Sequence, residues 1–222
     1  MPSEHLPKRR KLNLLRDERI AFLHSFLRRP QQVASVVPSS RFLERRLVSL
    51  AGIGHARLVV ELGPGTGGTT RALLAALPAH ARLLCIELDP DFAARLVREP
   101  DPRLVVHHGS AEQLEEILAA LGLGAPDAVV SGIPFSIIPA AVGTRIIESI
   151  RRALAPGGCF LAYQVRGTVA ELAKPVLGEP DTQLELRNIP PVRVFRWHVG
   201  APRHKPASGS SARTERGSSL RT

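Results

Sequence analysis

Between residues 57 and 165, short apolar runs alternate with stretches whose apolar residues recur every three or four positions. The runs are RLVVEL (57–62), RLLCIEL (82–88), RLVVHH (103–108), DAVVSG (127–132) and CFLAYQV (159–165). Runs this short and continuous predict strands buried on both faces. The helix-spaced stretches are 67–77, 90–98, 111–121 and 139–155, the last closed by the helix stop and turn APGG. Strands alternating with helices predict a parallel sheet covered on both sides. After residue 166 come a helical stretch, 168–177, and two strand-like segments, TQLELRN and VRVFRWHV, joined only by IPP. So short a link permits an antiparallel pair and forbids a crossover helix. The expected fold is α/β, doubly wound and mostly parallel, ending in an antiparallel hairpin.

The formal net charge is +10, and its placement matters more than its size. Residues 1–46 contribute +7, residues 199–222 contribute +4, and the body between them −1. A near-neutral body with basic ends suggests an enzyme brought to an anionic surface, lipid or nucleic acid. The chain is therefore divided into a basic amphipathic segment (1–34), a catalytic domain (35–200) and a Ser/Arg/Gly-rich tail (201–222), expected to be disordered. In the first segment Leu12, Leu15, Ile20, Phe22, Leu23, Phe26 and Leu27 share one helical sector, flanked by Arg10, Lys11, Arg28 and Arg29. Arg16 and Arg19 fall inside that sector, with stems long enough to snorkel to headgroups. That pattern predicts an interfacial helix, or a lid that docks on the membrane. No apolar run reaches the roughly 20 residues of a membrane span. With only Cys85 and Cys159, both in apolar runs, reduced buried thiols, no disulfide framework, no metal site and a cytoplasmic setting are expected.

The chemistry concentrates in LVVELGPGTGGTT (58–70). Gly63, Gly65 and Gly67 form a glycine-rich turn between a strand and a helix, a pattern shared by dinucleotide sites and others. Glu87, at the next strand end, suits ribose hydroxyls in either case. Glu61 discriminates. A pyrophosphate at this turn would meet its carboxylate, whereas a ligand carrying an ammonium and a sulfonium would be attracted. S-adenosylmethionine carries both.

With these residues in view, residues 35–198 resemble the class I S-adenosylmethionine-dependent methyltransferases, VVELGPGTG their first motif and IELD their second. The resemblance implies a seven-stranded sheet with the cofactor at the carboxyl ends of the strands. It places Glu61, Gly63, Gly65 and Gly67 at the methionine part, Glu87 at the ribose, and Ser110 with Ala111 at the adenine, Ser110 standing where an acidic residue is usual. In SGIPF (131–135), Ser131 joins the cofactor side, while Gly132, Ile133, Pro134 and Phe135 floor the substrate site. Adenine N6-methyltransferases place Asn or Asp three residues before an aromatic here. This chain has Gly132 before Phe135, a poor acceptor, which counts against base methylation; a turn with Phe135 merely packing is the alternative to its place in the substrate site.

A narrower resemblance covers more of the chain. VVPSSRFLERRL (36–47), VELGPGTGGTT, SGIPF and NIPPVRVFRW (188–197) together resemble the bacterial phospholipid N-methyltransferases, which implies methyl transfer to the amine of phosphatidylethanolamine by a monomer bound peripherally to the membrane. The family often has Leu-Pro-Leu where this chain has Ile133-Pro134-Phe135. On this reading Tyr163 or a water takes the amine proton, backbone carbonyls near Gly132 and Ile133 orient the amine, and Arg166 meets the headgroup phosphate. Two alternatives stand beside it: RNA (adenine) N-methylation with the basic ends gripping phosphates, and a silent cofactor-binding module. One Trp and one Tyr leave little for base stacking, which disfavours RNA.

Overall fold

A computed structural model describes residues 40–200. The interfacial helix expected in 1–34 and the tail at 201–222 lie outside the described residues. The chain opens with α1 (Arg41–Ala51), whose N-cap Ser40 accepts a hydrogen bond from Leu43 N through its side chain. Then come β1 (Leu58–Leu62), α2 (Gly68–Ala76), β2 (Arg82–Glu87), α3 (Pro90–Leu96), β3 (Leu104–His108), α4 (Leu114–Ala120) and β4 (Ala128–Ser131). They are followed by α5 (Ala140–Ala153), β5 (Cys159–Gln164), α6 (Thr168–Leu177), β6 (Asp181–Glu185) and β7 (Val192–His198). The strand order is β3-β2-β1-β4-β5-β7-β6. The first five strands run parallel, and β7 lies antiparallel to both β5 and β6. The expected seven-stranded sheet and its closing hairpin are both present.

Alternation along the strands divides the core. Val59, Leu83, Cys85, Val130, Leu161 and Val194 face α1 and α2. Val60, Leu84, Ile86, Val129, Phe160 and Trp197 face α4, α5 and α6. Both cysteines are free and buried. Among the described residues no helix is long and apolar enough to cross a membrane.

The helix α1 is an addition to the strands and helices read from the pattern. Its Leu43, Leu47 and Ala51 recur every four residues and are buried against the sheet. Polar bonds then tie it to the hairpin. Ser40 N donates to Asn188 Oδ1 at 3.0 Å, and Arg46 Nε donates to Glu185 Oε2 at 2.8 Å. Segments almost 150 residues apart in sequence thus build one wall.

Candidate active site

The site lies at the carboxyl ends of β1, β2, β4 and β5, where a doubly wound sheet opens a crevice. After β1 the chain turns through Gly63 and Gly65, with φ of 68° and 55°, a region that side chains other than glycine rarely adopt. After β4 comes Gly132, held there for a second reason. A Cβ on Gly132 would stand 2.6 Å from Tyr163 Oη and 2.8 Å from the Gly63 carbonyl oxygen. The two loops therefore meet backbone to backbone, with Gly132 N donating to Leu62 O at 2.9 Å.

A two-lobed cleft runs across this meeting point, and Gly63, Gly65, Gly132 and Pro134 border both lobes. One lobe has apolar walls from Ile86, Phe92, Ile133 and Ile138, with Glu87, Asp89, Ser110 and Ala111 among its polar and small residues. Glu87 Oε2 accepts from Gly65 N and Oε1 from Asp89 N, each at 2.9 Å. Glu87 thus braces the glycine turn. Burial raises its pKa above the ordinary carboxylate value, and those backbone donors pull it back. With four lone pairs and backbone donors at three of them, the carboxylate keeps acceptor capacity for a ligand hydroxyl.

The other lobe is polar. Thr69, Tyr163, Gln164, Arg166 and Asn188 line it, with Leu43 and Val192 at its wall. Tyr163 Oη lies 3.4 Å from Thr69 Oγ1. Gln164 Nε2 donates to Ile133 O at 2.8 Å, and Phe135 N donates to the same oxygen at 3.0 Å. Both lone pairs of that carbonyl are engaged, so the Ile133 carbonyl is not the amine acceptor expected from sequence. Ile133 contributes a wall instead.

Four further residues of the motifs border neither lobe of the cleft. Glu61 borders neither lobe. Being two residues from Val59 on its strand, it points to the α2 side, where Oε2 accepts from Thr70 Oγ1 at 2.6 Å and from Cys85 Sγ at 3.4 Å. Its Oε1 is buried without a partner, and burial pushes its pKa up to about 7. Glu61 therefore lies beneath the turn rather than in contact with the cleft. Ser131 is fully buried and accepts from Ile133 N at 3.3 Å, shaping the loop from below. Phe135 is 1 % exposed and sits in the core cluster around α5, so it packs and presents no ring to the cleft. At Gly67, which also borders neither lobe, a Cβ would reach 2.9 Å from Leu96 Cδ2; the neighbouring Gly68 lines the polar lobe instead.

Gln164, Asn188, Thr69, Asp89 and Leu43 were not singled out from sequence. Only the first two carried a signal: a polar residue ending an apolar run, and an Asn just before Ile-Pro-Pro.

The described part of the nucleoside-sized lobe has two carboxylates and no Lys or Arg on its border. That donor set disfavours a pyrophosphate and suits a cationic sulfonium nucleoside. Glycines that keep the turn open and acceptor capacity on Glu87 fit S-adenosylmethionine. The chain belongs to the S-adenosylmethionine-dependent methyltransferases. The methyltransferase-domain family matches residues 59–158. Over 178 residues the chain is 32% identical to the ornithine lipid N-methyltransferase of Singulisphaera acidiphila, covering 78% of this chain and 92% of that protein. It is also 37% identical to the ribosomal RNA small subunit methyltransferase A of Phenylobacterium zucineum, but over 97 residues that span only 32% of that enzyme. Among solved structures, the N-methyltransferase NodS of Bradyrhizobium japonicum in complex with S-adenosyl-L-homocysteine superposes with a TM-score of 0.57 at 16% identity, covering 77% of this chain and 91% of that one. That last likeness concerns the fold. S-adenosylmethionine is the methyl donor of this enzyme.

Proposed function

We propose that this enzyme methylates the amine of a membrane lipid, phosphatidylethanolamine or an amino lipid with a comparable headgroup, as a peripheral enzyme at the membrane surface. The observation that carries the reading is the crowding at Gly132. An adenine N6-methyltransferase has an Asn or Asp side chain there and an aromatic three residues on. Here Tyr163 Oη and the Gly63 carbonyl fill that space, and Phe135 is buried. Neither part of a base-holding clamp is available. The lipid N-methyltransferase likeness, over nearly all of that protein's length, supports the same reading.

When bound, S-adenosylmethionine supplies a methyl group on a sulfonium, open to in-line attack by a lone pair. The protein's share is to bind, orient and desolvate. Glu87 and the apolar walls hold the nucleoside, and the glycine turn permits close approach of the backbone. An amine headgroup is mostly protonated near neutral pH, and its proton leaves to water at the open mouth of the polar lobe. In this reading Tyr163 Oη, 3.4 Å from Thr69 Oγ1 on the border of the polar lobe, holds the amine in position. Tyr163 is thereby an orienting group. Arg166, exposed on the lobe's border, faces the headgroup's anionic part. A phosphate in phosphatidylethanolamine and a carboxylate in an ornithine lipid offer the same partner to a guanidinium. Holding the amine in line accounts for much of the expected rate.

The test is transfer of a labelled methyl group to phosphatidylethanolamine vesicles, ornithine-lipid vesicles and ribosomal RNA, read by mass spectrometry of the product. Methylation of either lipid with RNA unmodified is expected, and the two vesicle arms assign the headgroup. Methylation of RNA with both lipids untouched would overturn the reading.

A further inference from the structure

Five large apolar side chains are exposed among the described residues, and three of them, Leu184, Leu186 and Ile189, fall within six consecutive positions. Leu186 is 68% exposed and Ile189 88%. Between them Asn188 is buried. It accepts from Ser40 N at 3.0 Å and donates through Nδ2 to Pro190 O at 3.1 Å. The loop joining β6 to β7 is thus pinned at its centre, and the flanking apolar side chains are held outward by its bonding. An exposed apolar patch held in this way marks an interaction surface.

The charge around it is net positive. Residues 40–50 and 183–193 carry five arginines and two glutamates. Of the glutamates, Glu185 is buried and shared by Arg46 and Arg187, and Glu44 is half-buried on α1. Arg45, Arg46 and Arg187 border a shallow groove with Phe42, and the Arg187 guanidinium lies 4.4 Å from the Phe42 ring centroid. Apolar tips amid arginines match a bilayer surface with anionic headgroups. A nucleic acid would use the arginines and leave the leucine and isoleucine in water. The patch also adjoins the cleft, since Asn188, Leu43 and Val192 line the polar lobe.

We propose that the β6–β7 loop and the outer face of α1 form the surface that seats this enzyme on an anionic membrane. Leu186 and Ile189 enter the interface, while Arg45, Arg46 and Arg187 take lipid phosphates. A lipid amine then reaches Tyr163 past Asn188 without leaving the bilayer. The inference rests on the lipid reading above and places the entrance on one face of the fold.

The experiment compares the full chain with Leu186→Glu/Ile189→Glu and with Val97→Glu, an exposed apolar residue outside the patch. Binding to phosphatidylglycerol-containing vesicles falls at least about tenfold in the double variant and is unchanged in Val97→Glu. Arg45→Ala weakens low-salt binding by about fivefold, an effect that high salt removes. A polarity-sensitive dye at Ile189→Cys shifts to the blue on these vesicles and is quenched by brominated lipids, even where another segment dominates affinity. Equal vesicle binding by parent and double variant, with no dye shift, would overturn the proposal. So would a dye shift in the absence of vesicles, which would mean that the chain itself covers the patch, or binding of RNA in preference to vesicles. Assaying the double variant on amino lipid in detergent micelles separates the two readings. Retained micelle activity with lost vesicle activity supports the surface. A parent inactive on every lipid overturns the substrate reading, and the vesicle and dye results still judge the surface.

Discussion

Glu61→Gln tests whether a carboxyl group buried beneath the glycine turn is protonated in the folded protein. The residue is fully buried, and its pKa lies near 7 against an ordinary 4.5, because burial outweighs the hydrogen bonds from Thr70 and Cys85. Between those values the folded chain holds a proton that the unfolded chain has released. Stability from this group is therefore fully present below pH 4.5 and falls as pH rises, until the folded group also ionises above about 7. From pH 5 to pH 8 the loss is about 2–3 kcal/mol at about 1.4 kcal/mol per unit. In a domain of this size that is roughly 5–10 °C in Tm. Glutamine keeps an oxygen for Thr70 and does not titrate. Glu87 also has a raised pKa, but it is present in both proteins and drops out of the difference. Thermal unfolding of parent and Glu61→Gln at half-unit pH steps is the assay. The parent should lose about 2–3 kcal/mol relative to the variant between pH 5 and pH 8. Parallel curves would refute the reasoning and mean that Glu61 is charged when folded. Glu61→Lys would not serve, because a lysine in so buried a position tests folding rather than ligand recognition.

The remaining predictions concern the cleft. Gly132→Ala forces a methyl against Tyr163 Oη and the Gly63 carbonyl, at 2.6 and 2.8 Å. It should cost about 1–3 kcal/mol of stability and lower methyl transfer at least tenfold, and activity within twofold of the parent would contradict the crowding. Glu87→Ala removes the acceptor for Gly65 N and Asp89 N. It should weaken S-adenosylmethionine binding by about 1–3 kcal/mol in calorimetry, and unchanged affinity would remove Glu87 from the ribose site.

The sheet was legible because its signal is local: continuous apolar runs for strands buried on both faces, and a three-residue link too short for a crossover. The site was legible only in part. Glu87, Ser110, Ala111, Gly132 and Tyr163 border the cleft where the motifs imply. Glu61, Gly67, Ser131 and Phe135 belong to the same motifs but turn elsewhere. Motif spacing fixes where a residue sits along a strand, and the direction of its side chain depends on strand parity. Glu61 shares parity with Val59 and so faces α2. Glu61, whose charge pointed to a cationic ligand, borders neither lobe of the cleft.

The pairing of the two outer motifs has a structural cause. VVPSSRFLERRL and NIPPVRVFRW lie some 150 positions apart, and nothing local links them. In the fold, Ser40 bonds Asn188, Arg46 bonds Glu185, and Arg187 stacks on Phe42. Residues 40–47 and the β6–β7 segment thus build the two halves of one wall. That wall forms one side of the polar lobe and carries the exposed loop. A substitution on α1 at Arg46 would leave Glu185 buried with only Arg187 as a partner, at 3.1 Å, and would be felt at Asn188 three residues away. The α1 helix is thus part of the active-site architecture although it touches the cleft only through Leu43. Such coupling between a helix and a hairpin remote in sequence makes one wall serve both the polar lobe and the exposed β6–β7 loop.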